Sequence, residues 1–349
     1  KDGEFRGGPA YYIHQALGSR GLGVLFSVLL ILCFAFGFNG LQAFNATSAL
    51  EYYLPGEAMP KAAIASGIVL AVMTAAVIFG GTKRISVITS IVVPIMAIAY
   101  IAIALWTTIT NITWLPQVFA LVFSSAFDFQ SIFGGFAGSV VMLGIKRGLY
   151  SNEAGMGSPP NAAATASESH PVKQGLWGIS EVFVDTIIVC TMTALVVLCT
   201  GVWTEGGTGA ALTATAFGAG FGNAIAGTVF VVAIITFFAF TTALVNVYYG
   251  EICMTVLGGK KFILPYRLLG CAFAIIGSVG ALSVLWNLFD FFFGVCAVCN
   301  LVVCFLMRKQ IGALINDYLT RLKSGKWEPT SEAAANAIPE LWVNDKTAK

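Results

Sequence analysis

Gly148-Leu-Tyr-Ser-Asn-Glu-Ala-Gly-Met-Gly-Ser-Pro-Pro-Asn-Ala-Ala-Ala-Thr-Ala-Ser-Glu-Ser-His-Pro171 decides how the chain is read. The stretch is polar and glycine-broken, yet apolar runs lead into it over 129–145 and out of it over 175–199. Irregular backbone in lipid is tolerated only where protein or a water-filled cavity satisfies its N–H and C=O groups. Gly155 and Gly157 permit backbone conformations closed to residues that carry a Cβ. Ser158 followed by Pro159 reads as an N-cap and a first-turn proline restarting a helix. The pattern is helix, break, helix; a cytosolic connecting loop is the plainer alternative.

Composition sets the frame around it. Hydrophobic residues make up 57% of the 349 and charged residues 10%, with a mean hydropathy of +0.84. Soluble domains carry about 25% charged residues, so the expected class is an all-α polytopic membrane protein. A helix crosses a bilayer with about 20 apolar residues, and eight such stretches lie near 22–50, 61–81, 85–109, 129–150, 175–200, 223–250, 265–285 and 288–307. They divide the chain into an interfacial segment (1–21), a membrane domain (22–308) and a tail (309–349). With eight crossings, only Lys61 of the 19 lysines and arginines falls on the second face. By the positive-inside rule both ends are expected to be cytoplasmic, in a cell inner (plasma) membrane. The chain starts at Lys1 without an initiator Met or a signal peptide, as a piece of a longer protein would.

The eight cysteines sit in apolar runs and read as small buried hydrophobes; the Cys296/Cys299 spacing is a weak metal or redox signal. His14 and His170 are too few for a histidine-built metal site, and no nucleophile–base constellation is present, so no enzyme is expected. A channel or structural subunit would show a repeated polar pore lining or a ring of like charge, and neither is seen. A net charge of +2 gives no ground for a nucleic-acid partner.

Polar residues inside the apolar runs are the candidates for chemistry. Asn39 and Gln42 share a face of the first span and either bond a neighbouring helix or line a polar cavity. Pro94 reads as a kink in the third span. Glu181 and Asp185, four apart in the fifth span, are ionisable groups whose burial is costly, and Asp185 lies a full turn deeper. Thr241 and Thr242 either satisfy carbonyls of their own helix or offer hard oxygens to a small cation beside an unwound backbone. Asn246 continues the stripe from Thr242. Gly134 and Gly138, with Gly135 and Ser139, put small residues on one helix face for close contact.

Arg147-Gly-Leu-Tyr-Ser-Asn-Glu-Ala-Gly-Met-Gly-Ser158, His170-Pro-Val-Lys-Gln-Gly175, Phe183-Val-Asp-Thr186, Phe240-Thr-Thr242 and Tyr248-Tyr-Gly-Glu251 resemble the alanine or glycine:cation symporter family, also called sodium:alanine symporters. The likeness runs from Gly3 into the tail. It implies the fold of the amino acid/polyamine/organocation superfamily, two inverted five-helix repeats with broken first and sixth helices. The eight spans would then be core helices three to ten, the first two being missing. It also implies sodium-coupled symport of alanine, glycine or a similar small neutral amino acid by alternating access, with sodium as the co-transported ion. The residues it marks for substrate are Asn39, Gln42, Tyr150, Ser151, Asn152, Ala154, Gly155, Met156, Thr242 and Asn246. Thr241 and Thr242 are marked for sodium, and Glu153 and Asp185 for coupling or support. A proton-coupled relative would use Asp185 or Glu153 as the carrier. One departure is Asn246, where the family pattern leads us to expect Trp; a smaller, polar wall would admit a side chain larger than methyl.

Two placements of the break compete. Hydropathy ends the fourth span at Lys146-Arg147 and puts the break near 134–138, with the Ser-Asn-Glu-Ala-Gly run in the cytoplasm. The family likeness and the Ser158-Pro159 restart put it at 150–157.

Overall fold

The computed structural model describes residues 7–50, 54, 56–128, 139–166, 168–280 and 282–325. Among these the chain is helical: α1 (Pro9–Leu17), α2 (Arg20–Ser48), α3 (Ala58–Ile78), α4 (Thr82–Thr110), α5 (Leu115–Ala126), α6 (Ser139–Asn152), α7 (Pro159–Ala163), α8 (Pro171–Cys199), α9 (Gly209–Phe221), α10 (Ala224–Gly258), α11 (Ile263–Ser278), α12 (Leu282–Leu306) and α13 (Arg308–Ser324). Seven helices among the described residues are long and apolar enough to cross a membrane, and they fall on seven of the eight expected spans. This is a multi-pass, all-α membrane protein. Of the remaining expected span, 129–150, only the part within α6 is described; the 134–138 placement of the break and the glycine stripe there lie outside the described residues, save Ser139 at the start of α6.

Two helices carry a π turn, Leu32–Phe38 in α2 and Phe183–Cys190 in α8. A π turn takes one more residue per hydrogen-bonded ring than an α turn, and such turns often occur at functional sites. The bundle is tightest where small residues meet. α11 lies against α2 so closely that a Cβ on Gly277 would come within 2.2 Å of the Gly40 Cα. In lipid, close backbone approach of this kind takes the place of a hydrophobic driving force between helices. Beside it, Phe34, Phe38, Tyr249 and Phe289 form an apolar cluster shared by α2, α10 and α12.

α13 follows α12 after a single residue and docks on the start of α8. There His170 Nδ1 accepts from the Val172 N–H at 3.2 Å and caps α8, while Nε2 faces Asp317 Oδ2 at 3.3 Å. Arg321 Nε donates to the same Asp317 oxygen at 2.6 Å. The neutral imidazole fits this setting: one nitrogen accepts in the cap and the other donates to the carboxylate. Burial pushes His170 below the ordinary imidazole range, Asp317 opposes the shift, and Arg321 and Lys173 add to it. A depressed histidine contributes stability that is present above the unfolded value, about pH 6.5, and lost as pH falls towards the folded one. The thermal midpoint of the purified protein should therefore drop between about pH 7 and about pH 5, and His170→Asn should flatten that drop. An unchanged slope in the variant would remove His170 as its cause.

Candidate functional site

The chain leaves helical geometry at Glu153 and resumes it at Pro159. Glu153 has φ 53°, the only positive φ outside glycine among the described residues, and Gly155 and Gly157 follow at 83° and 92°. A side chain in that region costs of order 1 kcal/mol or more, and here local bonds offset it. Asn152 Oδ1 accepts from the Ala154 N–H at 2.9 Å, and the Ser158 hydroxyl donates to the Glu153 carboxylate. Ser158 therefore does not cap α7 with its side chain, although Pro159 does occupy the first turn as read from the sequence.

Depth is fixed by α12. Asn300 Nδ2 donates to the Gly155 carbonyl at 2.9 Å, and the Tyr12 hydroxyl donates to Asn300 Oδ1. Asn300 lies six residues before Leu306, about 9 Å along the last span. Arg147 donates to both oxygens of Asp290 at 2.9 Å, with its guanidinium 3.8 Å over the Trp286 ring. Asp290 is about 24 Å from the tail end of α12. Arg147 thus lies alongside a span, not in a loop at its tail end, because a carboxylate on α12 neutralises it there. The break comes after it, still at membrane depth, and the described backbone agrees with the 150–157 placement.

Beside the break is a cavity of about 310 Å³. α6 and the break contribute Ser151, Asn152 and Glu153; α8 contributes Glu181 and Asp185; α10 contributes Thr241, Thr242 and Asn246; Thr89 of α4 closes it. A groove of about 470 Å³ between α3 and α4 is lined by Val72, Ala75, Ala76, Phe79, Gly80 and Arg84 and holds none of the candidate residues. The i, i+4 spacing of Glu181 and Asp185 does put both on the cavity wall. The π turn of α8 also presents Thr186 and Cys190 to α6: Asn152 Nδ2 donates to Thr186 Oγ1 at 2.8 Å, and Cys190 Sγ to Ser151 Oγ at 3.6 Å.

The ends of the polypeptide dipoles add to this. No donor among the described residues reaches the carbonyls of Tyr150, Ser151 or Asn152, which stand at the C-terminus of α6. Such carbonyls carry the negative end of a helix dipole and favour a cation. The Thr241 hydroxyl donates to the carbonyls of Phe237 and Phe238, both at 3.1 Å, whereas the Thr242 hydroxyl has no partner among the described residues.

The other sequence-marked residues lie around this centre. Asn246 lines the cavity and donates from Nδ2 to Asn39 Oδ1 at 3.0 Å, so Asn39 joins α2 to α10 and stands behind the wall. Gln42 reaches Tyr150 Oη at 3.5 Å instead. The Tyr150 ring packs among Phe38, Trp286 and Phe289, away from the cavity. Met156 is fully buried in the same aromatic cluster, and the Gly155 carbonyl is engaged by Asn300. Ala154 bonds through its backbone N–H to Asn152. Thr186 stands in the stretch Phe183-Val-Asp-Thr186 without a role of its own, and Asn300 is not singled out from the sequence, although it bears the same signal as Asn39 and Gln42, an amide in an apolar run.

A family model described as the sodium:alanine symporter family matches residues 1–333. A probable sodium/glutamine symporter of Bacillus subtilis is 39% identical over 324 residues, covering 92% of this chain and 66% of the relative. An amino-acid carrier protein of the same organism is 40% identical over 353 residues, covering 99% and 74%. A sodium/alanine symporter of Methanococcus maripaludis is 39% identical over 314 residues, covering 88% and 68%. The chain therefore spans roughly two thirds to three quarters of these relatives.

Proposed function

The chain belongs to the sodium:alanine symporter family, and from that premise we propose that it forms most of a secondary active transporter coupling sodium entry to uptake of a small neutral amino acid. The observation that carries this is the union, in one cavity, of free carbonyls at a helix break with the hydroxyls of α10 and the carboxylates of α8. The carbonyls of Ser151 and Asn152 on the cavity suit the substrate ammonium, with Tyr150 packed behind them, and Thr242 with Thr241 suits sodium. Asn246, braced by Asn39, supplies a polar wall for the substrate side chain. Gln42, Gly155 and Met156 support the break, since each is engaged in holding it or its neighbours. Glu153 and Asp185 balance the cation charge.

The charge distribution supports a cell-membrane protein with both ends cytoplasmic, an interfacial segment at 1–21, a membrane domain at 22–308 and a tail beyond. The three carboxylates on the cavity favour one second reading, proton coupling through Asp185 or Glu153. Uptake of labelled alanine and glycine into proteoliposomes holding the full-length parent separates the two. Accumulation under an inward sodium gradient, absent under an equal potassium gradient, is the expected result. Uptake driven by protons without sodium would overturn the coupling ion and leave the site in place.

A further inference from the structure

α13 has three faces where an ordinary surface helix has two. At 100° per residue, Asp317 and Arg321 fall on one arc, and both are buried against the start of α8. Lys309, Asn316, Thr320 and Lys323 fall on a second, exposed arc. Ile311, Ile315, Leu319 and Leu322 fall together on a third, and they are 39%, 42%, 46% and 59% exposed. A helix docked on protein through one arc and facing water through another has no use for a third that is apolar. We propose that α13 lies in the interfacial layer of the membrane, its apolar arc among the upper acyl chains and its lysines against anionic phospholipid headgroups.

Three observations favour lipid over a second copy of the chain. α13 begins one residue after a membrane span ends, so it starts at the bilayer surface. The span it follows exposes Val298, Val302 and Phe305, by 64%, 55% and 65%, on the surface that continues towards α13. The charge of the helix is also sorted. Its single acidic residue, Asp317, is turned inward and paired with Arg321, which leaves Arg308, Lys309 and Lys323 as the outward charges. Basic residues beside an apolar arc are what an anionic membrane surface binds. The proposal depends on the chain spanning a membrane and not on which substrate it carries.

Through this contact the lipid would hold the start of α8. His170 caps α8 and meets α13 through Asp317, and α8 continues to Glu181 and Asp185 on the cavity.

The test places the photocrosslinking residue p-benzoylphenylalanine at Leu319 of the full-length parent, in vesicles of equal phosphatidylcholine and phosphatidylglycerol. Leu319 is exposed, so the bulk is accommodated, and monodisperse elution confirms folding. Irradiation should give lipid adducts, with phosphatidylglycerol about fivefold over phosphatidylcholine; Lys309→Gln with Lys323→Gln should bring that ratio towards parity. The same residue at Thr320, on the polar arc, should give none. A crosslinked dimer would overturn the proposal in favour of a subunit interface. An intrachain crosslink to a part of the parent outside this chain, or no adduct at all, would overturn it equally.

Discussion

Thr242→Val in the full-length transporter should raise the sodium concentration needed for half-maximal uptake by about tenfold, a loss of about 1.4 kcal/mol of cation binding. The substitution keeps the shape of the side chain and removes one oxygen. That oxygen faces the cavity and bonds nothing among the described residues, so its loss strands no partner. Valine also sits comfortably in a membrane helix, and thermal stability should hardly move. Thr241→Val is the informative companion, because its hydroxyl already donates to Phe237 and Phe238 and only its lone pairs remain for an ion. Sodium activation unchanged in Thr242→Val, at normal expression, would take this residue out of the cation site.

The second large effect is on stability. Arg267 grips Glu251 with two bonds, Nε to Oε1 at 2.6 Å and Nη2 to Oε2 at 2.9 Å, tying α11 to α10. Glu251 is buried, and the Arg267 side chain is 17% exposed. Removing one charge of a buried pair leaves the other uncompensated at about 3–5 kcal/mol. The partial access of Arg267 to solvent puts Glu251→Gln at the low end, about 3 kcal/mol. Replacing both residues with methionine should restore most of the loss, since an apolar pair needs no partner. Unfolding of the purified variants in detergent reads this directly; a Gln variant as stable as the parent would mean that the carboxamide replaces the carboxylate at no cost.

Much of this fold is legible in the sequence, because span length and helical spacing are local properties. Glu181 and Asp185 reach the same wall because four residues make about one turn, and the Thr242 and Asn246 stripe follows for the same reason. The position of the break was not decided locally. Lys146 and Arg147 look like a helix end meeting water until Asp290, 143 residues away from Arg147, is placed beside them. Asn39 and Gln42 share a helix face, yet they bond to different helices, α10 and α6. Ser158-Pro159 carried a true proline signal and a misread serine, whose hydroxyl is drawn off by a carboxylate five residues back. Spacing alone leaves the partners of Asn39 and Gln42 open, because those partners lie on other helices. The docked face of the tail helix depends on His170, which the sequence pattern does not connect to it.

The π turn in α8 has a bearing on how this helix can change length. One surplus residue between Phe183 and Cys190 lets the half bearing Glu181 and the half bearing Thr193 be phased separately, each against its own neighbour. On the far half, Thr193 meets the Tyr100 hydroxyl of α4 at 2.5 Å. Converting the turn to ordinary α-helix without losing a residue would swing everything beyond it by about 100°. Thr193 would then point away from Tyr100 while the cavity wall stayed put. A one-residue deletion within 183–190 would instead close the turn to α-helix with both halves still facing their neighbours, so the number of residues there decides whether α8 bulges beside Asp185 at all.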